Sequence, residues 1–174
     1  MSTPAQYSRK RIDKEIQTYW MIDTPYVDPL VEFNNKIRYI DIIDHVVYFM
    51  IIKERNNIIN QIDDGNIVIA FEMQNSNYPF GPPKKVLING KNYFEYLRPN
   101  GSTYDILEYF IGQKCLCCST LMCRNNWGPQ KNLKNILQEI LKTFNTKQRV
   151  IEYLHVKKIK DKYLIDDIPI FDFI

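Results

Sequence analysis

The sequence predicts an α+β domain with helices at its two ends and a four-stranded antiparallel meander between them. Three observations carry this. Apolar residues recur at helical spacing near the start of the chain, at Ile12, Ile16, Tyr19 and Trp20. They do so again at Leu133, Ile136, Leu137, Ile140, Leu141 and Phe144. Between these stretches lie short β-branched and aromatic runs cut by turn-forming residues. At 174 residues the chain has the length of one domain, 1–174, with a core over about 8–160 and a tail over 161–174.

The elements follow in order. Residues 1–8 read as a short flexible start, and Ser8 as the N-cap of the first amphipathic helix. Thr24-Pro25 and Asp28-Pro29 end that helix, because proline drives the residue before it out of helical geometry. Phe33–Ile43, His45–Lys53 and Asn66–Met73 read as consecutive strands, with Asp63-Asp64-Gly65-Asn66 as the clearest turn. The prolines of Tyr78-Pro79-Phe80-Gly81-Pro82-Pro83 exclude a regular ladder, so this segment reads as a rigid loop leading into an edge strand, Lys85–Ile88, closed by an Asn89-Gly90 turn. A short helix is expected over Tyr104–Phe110. After the cysteines come the stripe from Leu133 and a third helix over about Lys147–Lys160 carrying Val150, Ile151 and Leu154. The tail from Tyr163 alternates apolar and acidic residues.

Composition narrows the function classes. Apolar residues at 45% and charged residues at 25% are ordinary globular usage. No apolar run reaches the roughly 20 residues of a membrane span, and the N-terminus lacks a secretory signal pattern, so a soluble intracellular protein is expected. The net charge of +3, with its obvious basic clusters at Arg9-Lys10-Arg11 and Lys157–Lys160, predicts solvated helix faces or protein-docking surfaces and no nucleic-acid partner. Ile, Asn, Lys and Tyr are abundant, as in products of AT-rich genomes.

The cysteines are the most unusual feature: Cys115, Cys117, Cys118 and Cys123 all fall within nine residues. A disulfide framework spreads its cysteines, so the cluster suggests a reducing compartment and a metal site, a reactive thiol or chance. Four thiolates suffice for zinc, although the spacing lacks paired Cys-x-x-Cys knuckles. His45, at a strand start, and His155, on a helix, are the only histidines. Neither is placed to form a Cys-His dyad.

Several motifs in order resemble the ubiquitin-conjugating enzymes. Lys10-Arg11-Ile12-Asp13-Lys14-Glu15-Ile16 is similar to that family's first helix, Tyr78–Pro83 to its Tyr-Pro-Phe-x-Pro-Pro loop, and Trp127-Gly128-Pro129 to its Trp-Ser-Pro, with the helical stripe following without a gap. The resemblance spans residues 8–144. It implies a ubiquitin-conjugating-enzyme-like fold and a cysteine that accepts ubiquitin or a ubiquitin-like protein as a thioester, then passes it to a lysine or a ligase. A thiol suits that exchange because the thiolate is both nucleophile and leaving group. Cys117 fits the family pattern best, with Leu121 four residues on and Trp127 ten residues on; Cys115 ranks second and Cys118 third. The implied partners are the modifier, an activating enzyme and a ligase. No cofactor is implied, since ATP is used only by the upstream activating enzyme. Ligase contacts would fall on Arg11, Lys14, Phe80 and Pro129.

Two departures point the other way. The family's His-Pro-Asn, whose amide stabilises the oxyanion (a donor whose removal costs about 2.7–4 kcal/mol of barrier), is missing. The nearest match is Arg98-Pro99-Asn100, with Asn100 standing 17 residues before Cys117, and it is equally a Pro-Asn-Gly turn. The acceptor-side Asp is also absent, replaced by Phe144-Asn145-Thr146. A catalytically inactive variant serving as a binding, scaffold or virion module is therefore the alternative. Divergent members encoded by large AT-rich DNA viruses look similar in the cysteine-rich segment. The expected location is cytoplasm or nucleus, or host cytoplasm or virion for a viral protein.

Overall fold

The structure, a computed structural model, describes residues 4–20, 35–53, 66–98, 108–109, 112 and 116–163. Helix α1 (Pro4–Tyr19) leads into five antiparallel strands: β1 (Asn35–Ile43), β2 (Val46–Lys53), β3 (Ile67–Glu72), β4 (Lys85–Ile88) and β5 (Lys91–Asn92). A one-and-a-half-turn helix, α2 (Tyr93–Leu97), follows directly, and helix α3 (Leu133–Tyr163) closes the described chain. The sheet order is β1-β2-β3-β4-β5, so each strand pairs with its sequence neighbour. The expected α+β order and antiparallel meander are present. No helix among the described residues is long and apolar enough to cross a membrane.

Alternation along the strands selects the buried face. Phe49 sits opposite Ile69 and Ile69 opposite Ile88; Val47 sits opposite Phe71 and Phe71 opposite Val86. All six are essentially inaccessible to water. They form one core with Ile12 and Ile16 of α1 and with Leu133, Ile136, Leu137, Ile140 and Leu141 of α3. Fully burying each such aliphatic side chain stabilises the fold by about 1.5–3 kcal/mol. Both helices thus cover the same sheet face. Strand β1 carries a bulge at Ile40, where the register shifts between Tyr39 and Asp41 and leaves Ile40 exposed.

Five expectations are corrected. The meander has five strands, not four: Asn89 (φ 47°) and Gly90 (φ 80°) both take left-handed geometry, the two-residue hairpin turn that folds Lys91-Asn92 back onto β4. Accordingly β4 is not an edge strand over its last two residues. Ser8 is not an N-cap but lies a full turn inside α1, which starts at Pro4, a residue suited to the first helical position. His45 is not in a strand: Asp44 and His45 form the two-residue turn between β1 and β2, at φ 46° and 65°. The two expected C-terminal helices are one unbroken helix of 31 residues. At the junction the Thr146 hydroxyl is accommodated by donating to the Lys142 carbonyl one turn back (3.0 Å). Of the helix expected over Tyr104–Phe110, only Glu108 and Tyr109 are described, and both are helical. The tail beyond Tyr163 lies outside the described residues.

Candidate functional site

Two carboxylates organise the region around the cysteines. The first is Glu15, on the buried side of α1 and 4% exposed. It accepts the Tyr78 hydroxyl on both oxygens (2.6 and 2.7 Å), Arg11 Nε (2.6 Å) and the backbone N–H of Leu133 (3.1 Å). Leu133 is the first residue of α3, so the carboxylate satisfies an orphan donor at the positive end of that helix. Asn132 and Asn135 close the same end reciprocally, each side-chain oxygen accepting the other's backbone N–H (3.0 and 3.1 Å). Burial, then the facing Glu15 charge, pushes the Tyr78 hydroxyl well above its usual range. The hydrogen bond to Glu15 raises Arg11 in turn.

That knot joins α1, the proline-rich segment and the start of α3. The segment continues from Tyr78 through a cis Tyr78-Pro79 bond, and the Pro79 carbonyl accepts the indole Nε1–H of Trp127 (2.8 Å). The Tyr78 and Trp127 rings pack at 5.8 Å. Two motifs 48 residues apart are therefore brought into direct contact. Phe80, the next residue after Pro79, is 62% exposed despite its apolar ring. Pro129, two residues past Trp127, is exposed as well, as is Lys14 on α1. Arg11 is half-buried, with its guanidinium committed to Glu15.

The second carboxylate, Glu139 on α3, holds the turn that bears the thiols. Its Oε1 accepts the Thr120 hydroxyl (2.5 Å) and the Tyr93 hydroxyl (3.0 Å), and its Oε2 accepts the Leu121 backbone N–H (2.6 Å). Thr120 is 1% exposed and its hydroxyl oxygen also accepts the Met122 N–H (3.2 Å). The Asn126 amide donates to the carbonyls of Cys118 (2.9 Å) and Thr120 (3.0 Å). Asn126 ends a short 3-10 turn, Arg124–Asn126, whose last N–H bonds lead straight into Trp127.

Within this turn Cys117 is half-buried and packs against the core, as do Leu116 and Leu121; Cys118 is exposed and Cys123 is half-buried. None of the three is in a disulfide. Cys115 and Asn100 lie outside the described residues. Among the described residues no three His, Cys, Asp or Glu side chains gather as ligands for a metal. His45 and His155 are both exposed. A groove of about 600 Å³ between α1, the Asp44-His45 turn and the loop after β3 includes His45 but none of the cysteines.

Sequence reasoning missed Glu139 and Asn126. Both act on partners across loops, Glu139 on residues 18, 19 and 46 positions away. The one available signal was an acid bordering the apolar stripe of α3, where a solvated helix face was the simpler reading. Compared with protein-family models, with curated proteins and with solved structures, the chain matches none.

Proposed function

We propose that the chain is a ubiquitin-conjugating-type enzyme that carries ubiquitin or a ubiquitin-like protein as a thioester on Cys117. The Cys117 thiolate attacks the carbonyl of the modifier's thioester on an activating enzyme; a new C–S bond forms and the activating enzyme's thiolate departs. A lysine amine, alone or directed by a ligase, then attacks the Cys117 thioester and releases the thiol. ATP is consumed upstream, so this chain requires no cofactor. The observation that carries the proposal is the Trp127–Pro79 hydrogen bond, which joins the proline-rich segment to the residues following the cysteine turn on a helix–meander–helix scaffold. Cys117 is half-buried, which leaves part of the residue open to an incoming thioester. Lys14, Phe80 and Pro129 are exposed as ligase contacts require, and a rigid apolar anchor such as Phe80 suits an interface.

Incubation with activating enzyme, ATP and ubiquitin, followed by a non-reducing gel, tests this. A thiol-sensitive adduct is expected that disappears in Cys117→Ser and survives in Cys115→Ser and Cys118→Ser. No adduct with ubiquitin or any ubiquitin-like protein supports the second reading, a binding, scaffold or virion module without catalysis. The missing His-Pro-Asn and the unbroken helix through Phe144-Asn145-Thr146, where the acceptor-side Asp is absent, favour that alternative.

A further inference from the structure

We propose that Glu139 is the positioning residue of the thiol turn, an inference that rests on Cys117 being the transfer cysteine. The turn from Leu116 to Cys123 belongs to no sheet or helix, and it contains neither proline nor glycine to restrict its backbone. Side-chain bonds add to the backbone bonds of its turns. Glu139 takes the Thr120 hydroxyl and the Leu121 N–H, three and four residues after the sulfur. Thr120, so oriented, turns its hydroxyl oxygen to the Met122 N–H and its carbonyl to the Cys123 N–H (3.1 Å). Asn126 braces the turn through the Cys118 and Thr120 carbonyls.

A carboxylate is the group this geometry needs. Three donors converge on it from two different segments, and only an ionised carboxylate offers two acceptor oxygens with no competing donor. Tyr93, fully buried at the start of α2, fixes the carboxylate in turn, and Thr143 shares the Tyr93 hydroxyl at 3.0 Å. The carboxylate is thus anchored to α2 and α3, while its other bonds reach into the loop. Transfer between two bulky proteins depends on where the sulfur sits, and misplacement by about 1 Å can cost on the order of 100-fold in rate.

The test compares Glu139→Gln, Thr120→Val and Thr143→Val by thermal melts, hydrogen exchange at Leu121, alkylation of Cys117 by iodoacetamide, and thioester loading. Glu139→Gln is expected to lower the loading kcat about ten-fold with KM for the charged activating enzyme unchanged, and to speed Leu121 exchange at least ten-fold; Thr120→Val falls between it and the parent. Thr143→Val removes only the bond to the Tyr93 hydroxyl and leaves all three donors on Glu139 in place, so it is expected to load and alkylate at the parent rate. Parent-like loading in Glu139→Gln, or an equal loss in Thr143→Val, overturns the inference while leaving the conjugating activity standing. Where the parent itself does not load, the conjugating reading fails. Leu121 exchange and Cys117 alkylation, which need no activating enzyme, then decide whether Glu139 holds the turn. A Glu139→Gln protein that does not fold is replaced by Thr120→Val, whose parent-like exchange and alkylation overturn the inference equally.

Discussion

Replacing Glu15 by Leu removes the acceptor shared by Arg11, Tyr78 and Leu133. The three partners do not lose equally. Arg11, whose side chain is 35% exposed, can turn its guanidinium to water. Tyr78, at 2% exposure, and the Leu133 N–H at a helix end cannot, and each buried donor left unpaired costs about 1–3 kcal/mol. A loss of about 3–5 kcal/mol is expected, in the range for breaking a buried ionic cluster by removing one member. For a chain of this size that lowers Tm by roughly 6–20 °C. Urea unfolding followed by far-UV circular dichroism at pH 7 measures it. The sharper test is a change of sign. Tyr78→Phe in the parent deletes a bond to a charged acceptor and is expected to cost about 1.5–3 kcal/mol. In the Glu15→Leu background the same substitution removes an orphaned hydroxyl and is expected to stabilise. Equal destabilisation by Tyr78→Phe in both backgrounds would show that the hydroxyl and the carboxylate are not coupled, and the account of this knot would be refuted.

Alkaline pH probes both carboxylates through their tyrosines. Burial and a facing carboxylate raise Tyr78 and Tyr93 above their ordinary value, so the stability they contribute is complete below about pH 10 and is lost as pH rises beyond it, at about 1.4 kcal/mol per pH unit for each. Urea midpoints between pH 9 and 11 are expected to fall with a slope that Tyr78→Phe roughly halves; an unchanged slope in Tyr78→Phe counts against that burial. Asn145→Ala tests the single long helix: inside a helix it is expected to add about 0.3–0.7 kcal/mol, and no gain in thermal stability would restore a break between two helices.

What the sequence made legible followed the periodicity of apolar residues, and what it concealed followed polar residues doing buried jobs. Ile12 and Ile16, the strand runs and Leu133 to Leu141 were readable because their spacing is that of the elements that bury them. The junction after Phe144 was not. The row of side chains facing inward along α3 runs Ile136, Ile140, Thr143, Lys147, Val150, Leu154, evenly spaced for one helix but interrupted in the middle by a threonine and a lysine. Thr143 is tolerated there because it bonds the Tyr93 hydroxyl, and Lys147 because its ammonium lies 5.2 Å from the centre of the Tyr96 ring, where burial lowers its pKa. Strand β5 was hidden for a related reason: Lys91-Asn92 is too short and polar to show alternation, and Asn92 also caps α2 through the Phe94 N–H.

The same logic separates the two halves of the candidate site. Trp127 and the proline-rich segment were visible because indole and proline are rare and restrictive, so their order carried information before any contact was known. Glu15 and Glu139 are common residues whose roles exist only once distant donors converge on them. Glu15 reaches 118 positions along the chain to the start of α3, and Glu139 reaches back 46 to α2. A carboxylate withdrawn from water, Glu15 almost wholly and Glu139 in part, has a cost on its own, because an unpaired charge taken out of water is unfavourable. It becomes stabilising only when every donor is in place. Both therefore act as conditional fasteners: they add little to a partly formed chain, and they bind α1, the proline-rich segment, the thiol turn and α3 together only when all four have docked.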